Sequence, residues 1–112
     1  MMLTIAETSE YIRRTDGLLT KEERRDVVSH LALNPKAGDL IPGTRGVRKL
    51  RWGRQGTGKR GGLRVIYYFH SEAMPLYLLT LFAKNERANL TKAECNALGQ
   101  LVDVLVSSWL ED

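Results

Sequence analysis

The chain has one cysteine, Cys95, and three prolines among its 112 residues. A single cysteine excludes an intramolecular disulfide and any CxxC metal site. In a helical pattern such a residue usually serves as a small buried hydrophobe. No apolar run approaches the roughly 18 residues that a bilayer span requires. The opening segment MMLTIAETSEYIRR has no apolar stretch of the secretory kind, and its acidic residues do not suit a transit peptide. The expectation is therefore a cytoplasmic protein with no membrane partner. Repeats and low-complexity segments are absent, as are H-E-x-x-H, a Ser-His-Asp set and a plausible carboxylate metal cage. Any chemistry is expected to need no metal and no cofactor.

The most informative absence is acidic. Between Leu40 and Ser71 there is no Asp or Glu, while Arg45, Arg48, Lys49, Arg51, Arg54, Lys59, Arg60 and Arg64 all fall there. The chain has 17 basic and 13 acidic residues, so 17 − 8 leaves 9 basic against 13 acidic elsewhere. A basic middle in an acidic frame is the footprint of a surface for polyanions. The bland alternative is a solvated basic face with no partner, but unopposed like charges repel until something neutralises them.

Length predicts one domain over residues 1–112, with a modest core. Met2 to Ile5 reads as a short edge strand or the lead-in to a helix, and ETSEYIRR as two helical turns before the Asp16-Gly17 turn. Thr20 and Glu23 stand at capping-box spacing. Val27, Val28 and Leu31 follow as one helical stripe, which Asn34-Pro35 stops. His30 lies at the edge of that stripe, a boundary position rather than a catalytic one. From Gly43 the period changes, and VRKLRW alternates at period two. It sets Val47, Lys49 and Arg51 on one face and Arg48, Leu50 and Trp52 on the other. LRVIYYFH and PLYLLTLFAK are apolar on both faces and predict central strands joined by the tight SEAMP turn. Thr91 and Glu94 repeat the capping box. Leu98, Leu101, Val102, Leu105 and Trp109 then mark the expected buried stripe of a last helix, with Gly99 a site of close packing. The fold class expected is α+β: a small antiparallel sheet of three core strands, with a possible N-terminal edge strand, two N-terminal helices and a C-terminal helix.

The segment GRQGTGKRGG, Gly53 to Gly62, spells G-x-x-x-x-G-K but has Arg60 where a P-loop needs a Mg²⁺-binding hydroxyl. A helix must follow a P-loop, and GGLRVIYYF is strand-like instead. Nucleotide hydrolysis is excluded on both grounds. Five glycines and three cations suit a pliable basic hairpin tip, in which Lys59 and Arg60 tune RNA affinity without touching the chemistry.

The remaining candidates are the strand cations. Lys49 and Arg51 share a face, Arg64 opens the next strand, Lys84 closes the third, and Arg87 lies just beyond. Converging Arg and Lys can clamp a phosphate and stabilise charge that develops during its transfer. Arg64 stands out because an ion that interrupts an apolar strand needs a partner or a function. The competing reading pairs it structurally with a carboxylate such as Glu86.

The stretch VRKLRW … GGLRVIYYFH … PLYLLTLFAKNERANLT, from about Arg45 to Glu94, resembles the RelE/HigB superfamily of toxins from bacterial type II toxin–antitoxin modules. The Lys-Asn-Glu segment leading into Leu-Thr resembles its HigB-like branch. The resemblance implies a RelE-like fold and a ribosome-dependent mRNA endonuclease, an mRNA interferase, in which a 2′-OH attacks the neighbouring phosphate. It implies catalytic roles for Arg64, Lys84, Arg51 and Arg87, and RNA-binding roles for Lys49, Arg48, Arg54, Lys59 and Arg60. It also implies a cognate antitoxin, often with a helix-turn-helix DNA-binding domain, and the ribosome and mRNA as partners. Many relatives place Tyr or His near the start of the last helix. Here that region reads ANLT, with Thr91 committed to capping, and His70 lies at the far end of its strand, so the general acid and base stay unassigned. The alternative from another class is a non-catalytic basic RNA- or ribosome-binding module.

Overall fold

The computed structural model describes residues 3–53 and 62–110. Its sheet has five strands: β1 (Ile5–Glu7), β2 (Asp39–Leu40), β3 (Val47–Trp52), β4 (Leu63–Tyr68) and β5 (Leu76–Ala83). They lie in the order β1-β5-β4-β3-β2. The central three form the expected antiparallel meander, with β4 buried along its whole length. The edge strand at the N-terminus begins later than Met2 and runs parallel to β5. The sequence reading missed β2, whose two residues carry no alternation and pair antiparallel with β3.

Two helices, α1 (Ser9–Thr15) and α2 (Lys21–Leu33), cover one face, and α3 (Lys92–Leu110) packs on the other. Alternation along the strands divides the core accordingly. Leu50, Leu63, Val65, Tyr67, Leu78 and Leu81 meet Tyr11, Val27 and Leu31 on the first face. Val47, Ile66, Tyr68, Leu79 and Phe82 meet Val102 on the second.

Local chemistry fixes the helix ends. Thr20 accepts from the Glu23 N–H at 3.0 Å while the Glu23 carboxylate accepts from the Thr20 N–H at 2.9 Å, completing the first capping box. Thr8 caps α1 by accepting from the Tyr11 N–H, and its hydroxyl donates to the Leu79 carbonyl at 3.0 Å. Leu79 is the extra residue of a β-bulge, where Ile66 opposes Thr80 but Tyr67 opposes Leu78. The cap of α1 therefore also satisfies a carbonyl of β5 just past the end of β1.

Tyr67 ties β2 to this scaffold. Its hydroxyl donates to the Pro35 carbonyl and accepts from the Gly38 N–H, each at 2.8 Å. Gly38 sits so close that a Cβ there would lie 2.9 Å from the Lys49 carbonyl oxygen.

The stripe expected for α3 needs correction. Gly99 and Val102 are buried and Leu98, Leu105 and Val106 are partly buried. Leu101 and Trp109 are 37% and 51% exposed. The buried line follows 98, 102 and 105/106, so Leu101 falls off its edge, and Trp109 reaches outward to donate to the Tyr77 hydroxyl at 2.6 Å. Gly99 does meet a neighbour: the aliphatic part of Arg45 lies 3.5 Å from where its Cβ would be, and Arg45 pairs with Asp103.

Candidate functional site: a cationic cross-strand row

Strand register decides which of the candidate residues meet. Arg51 lies directly opposite Arg64, and Arg64 directly opposite Phe82. These three form one row across β3, β4 and β5 on the α3 side of the sheet. The next row inward is Lys49, Ile66 and Thr80. The row after that, Val47, Tyr68 and Tyr77, lies with the residues that pack α3. The helix thus covers one end of this face and the cations lie toward the other.

Arg64 is the centre of the row and only 8% exposed. Its described hydrogen bond is to the Leu63 carbonyl, at 3.2 Å. Among the described residues no carboxylate pairs with it. The expected alternative, a structural pair with Glu86, is overturned. Glu86 binds Arg14 at 3.2 Å and accepts from the Ala83 N–H at 3.0 Å, stapling the exit of β5 to α1.

Arg87 borders the row through a different contact. Its guanidinium lies over the Phe82 ring, 5.1 Å from the centroid, a cation–π arrangement. It also donates to both carboxylate oxygens of Glu94. Glu94 accepts in turn from the Thr91 N–H at 2.8 Å, while Thr91 caps the Glu94 N–H at 3.1 Å. The second capping box is therefore present, and one of its members anchors Arg87. The bonds from Arg87 and from the Thr91 N–H hold the Glu94 carboxyl down at about 2.

The family whose sequence model describes the RelE toxin of the RelE/RelB toxin–antitoxin system matches residues 19–110, which include every residue of the row. The chain belongs to the RelE toxin family. Among solved structures, the free form of a double arginine-to-alanine variant of the E. coli toxin RelE has a TM-score of 0.58 with this chain at 11% identity. That match covers 91% of this chain and 98% of the E. coli chain, so the two share a fold over nearly their full lengths. Membership of the RelE toxin family places the protein in a toxin–antitoxin system and implies an antitoxin partner.

On this RelE scaffold the other candidates separate. Lys49 joins the row's face, one register step from Arg51. Lys84 follows β5, where its N–H donates to the Gly62 carbonyl at 3.0 Å, beside the strand end that carries Arg64. Arg48 points to the opposite face and donates to the Gly38 carbonyl at 2.8 Å, so it holds the turn before β2. Arg54, Lys59 and Arg60 lie outside the described residues, as does the tip of the glycine-rich hairpin. His70 bonds its neighbour Ser71 beyond the other end of β4, about 20 Å from Arg64 at strand rise. His30 sets its ring edge against Trp52, with centroids 5.6 Å apart, on the α2 face.

Sequence reasoning missed Phe82 and Glu94 as parts of the site. Phe82 read as one more core aromatic, and Glu94 as a capping residue alone. A groove of about 300 Å³ runs beside the row, between β2, Lys49 and Arg51, and the start of α3. Cys95 is half-buried in its wall. Among the described residues no three His, Cys, Asp or Glu side chains gather as a metal cage, and no helix is long and apolar enough to cross a membrane.

Proposed function

We propose that this protein is an mRNA endonuclease toxin that acts on translating ribosomes, as a single toxin domain over residues 1–112. The observation that carries the proposal is the buried Arg64, paired with no carboxylate among the described residues and in direct register with Arg51 on the open end of the sheet face. A buried cation without a protein anion invites an anion from outside. A phosphodiester gains negative charge as it is attacked, and fixed guanidinium groups stabilise that charge.

In the proposed reaction the 2′-OH loses its proton and attacks the adjacent phosphorus. The P–O5′ bond then breaks, and the leaving oxygen takes up a proton. The products are a 2′,3′-cyclic phosphate and a 5′-OH. Arg64 and Arg51 hold the non-bridging oxygens. Arg87 borders them, fixed by Glu94 and Phe82. Lys49 and Lys84 are the amines nearest the row, one on its face and one beside the strand end that carries Arg64, and are placed to move protons. The cationic row supplies the electrostatic stabilisation without a metal. The Lys84-Asn85-Glu86 segment before the Leu90-Thr91 helix start supports placement in the HigB-like branch. The partner would be an antitoxin with a helix-turn-helix domain.

The test is primer extension on ribosome-bound message after induction, for wild type and Arg64→Ala. Wild type should arrest translation and leave discrete cuts, and Arg64→Ala should leave neither. Translation arrest without any cut would instead identify a non-catalytic ribosome-binding module.

A further inference from the structure

The groove beside the row holds a group that phosphate binding does not explain. Lys49 and Arg51 line it and suit a phosphate, but Asp39 lines it as well. A carboxylate opposes a polyanion. Register places Asp39 directly across from Lys49, so both side chains emerge on one face. No described ion pair engages Asp39. It is the one acid among the described lining residues.

The remaining walls suit a flat, half-polar guest. Ile41 and Leu90 supply apolar surface, from just after β2 and just before α3. Asn89 gives its backbone carbonyl to Arg87, and no described hydrogen bond uses its side-chain amide. A volume of about 300 Å³ accommodates a base with part of its sugar but not a duplex. Single-stranded RNA is read in this way, by packing a splayed base and hydrogen bonding its edge.

We propose that this groove holds one nucleobase of single-stranded RNA, next to the phosphate at Arg51 and Arg64, with Asp39 accepting hydrogen bonds from the base's N–H edge. The inference deepens the proposed RNA cleavage and rests on it for the neighbouring phosphate. Chemistry orders the four bases. Guanine offers N1–H and N2–H side by side, two donors for two carboxylate oxygens. Adenine and cytosine offer one amino group beside a ring acceptor. Uracil offers N3–H between two carbonyl oxygens, which the carboxylate repels. Guanine should bind best and uracil worst.

The experiment titrates the four 5′-mononucleotides, GMP, AMP, CMP and UMP, into wild type and Asp39→Asn, following backbone amide shifts. Wild type should show shifts at Asp39, Leu40, Asn89 and Leu90, with GMP about tenfold tighter than UMP, the discrimination of one good paired contact. Asp39→Asn should keep the shifts at Arg51 and Arg64 but bring GMP and UMP within about twofold. Cleavage maps of one message by the two proteins form the second arm, in which Asp39→Asn should redistribute the cut sites. Equal affinities for all four nucleotides in wild type, or a preference that survives Asp39→Asn, would overturn the inference. Base-selective shifts with no RNA cleavage would sink the endonuclease reading and leave the base site standing. Cleavage with flat titrations would do the reverse.

Discussion

Replacing Arg64 with methionine should make the protein more stable and inactive at once. Arg64 occupies a strand whose neighbours Leu63 and Val65 are fully buried. Its guanidinium has five N–H donors and one described protein acceptor, the Leu63 carbonyl. An incompletely paired ion in such a place costs several kcal/mol of desolvation. Arg51 directly opposite adds about 0.2–1 kcal/mol of like-charge repulsion. Methionine fills a similar volume without charge and forfeits one charged hydrogen bond, about 1.5–3 kcal/mol. The balance is a net gain of about 1–2 kcal/mol. At about 2.1 cal/mol/K of unfolding entropy per residue, a chain of this length gains about 4 °C in Tm per kcal/mol, so the shift should be about 4–8 °C. Thermal and urea unfolding of Arg64→Met read the first half. Cleavage by the same preparations reads the second, with an expected loss of about 10²- to 10³-fold. A variant less stable than wild type by more than about 1 kcal/mol would mean that Arg64 is a structural residue. Retention of cleavage within a few-fold would remove it from the site altogether.

Four further outcomes follow from named contacts. Glu94, held at about 2, contributes stability that is fully present above its unfolded value of about 4.3 and is lost as pH falls through about 2. Its exposure limits the effect to about 1 kcal/mol. In acid unfolding, Glu94→Gln should flatten that dependence, since glutamine keeps the cap but not the charge. Gly38→Ala should destabilise by about 1–3 kcal/mol, because its Cβ would meet the Lys49 carbonyl at 2.9 Å, a backbone atom that cannot yield. Gly99→Ala should do the opposite and raise stability by up to about 1 kcal/mol, because its nearest neighbour is the flexible Arg45 side chain at an ordinary 3.5 Å. Replacing Lys59 and Arg60 together by alanine should lower the slope of log RNA affinity against log salt by about 1.4, two phosphates' worth for a single strand.

Much of this architecture was legible because it rests on local periodicity. Alternation in VRKLRW separates Lys49 and Arg51 from Arg48, and β3 follows it residue for residue. Both capping boxes form as their spacing requires. What was hidden depends on contacts distant in sequence. β2 has two residues and exists because Tyr67, 29 positions away, grips Gly38. The outward turn of Leu101 and Trp109 follows from which line of α3 meets the sheet, and several apolar lines on that helix look alike in one dimension. Glu86 satisfied every local criterion for a partner of Arg64, yet Arg14 on α1 claims it.

The bulge bears on the site as well as on the sheet. Ile66 opposes Thr80 and Tyr67 opposes Leu78, so the register between β4 and β5 differs on the two sides of Leu79. On the side that carries the row, this register sets Phe82 opposite Arg64. Were the same sequence paired without a bulge, Leu81, which packs in the α1–α2 core, would stand opposite Arg64 instead. Phe82 in turn carries the guanidinium of Arg87, and Glu94 holds that guanidinium from the α3 cap. By absorbing Leu79, the bulge in β5 therefore keeps Phe82, and with it Arg87, on the face that carries the row. Deleting Leu79 should therefore remove the bulge and keep the row, because Thr80 then follows Leu78 in regular alternation with Phe82 still opposite Arg64. Cleavage should stay within a few-fold of wild type, and loss of cleavage in a folded variant would refute this account of the register.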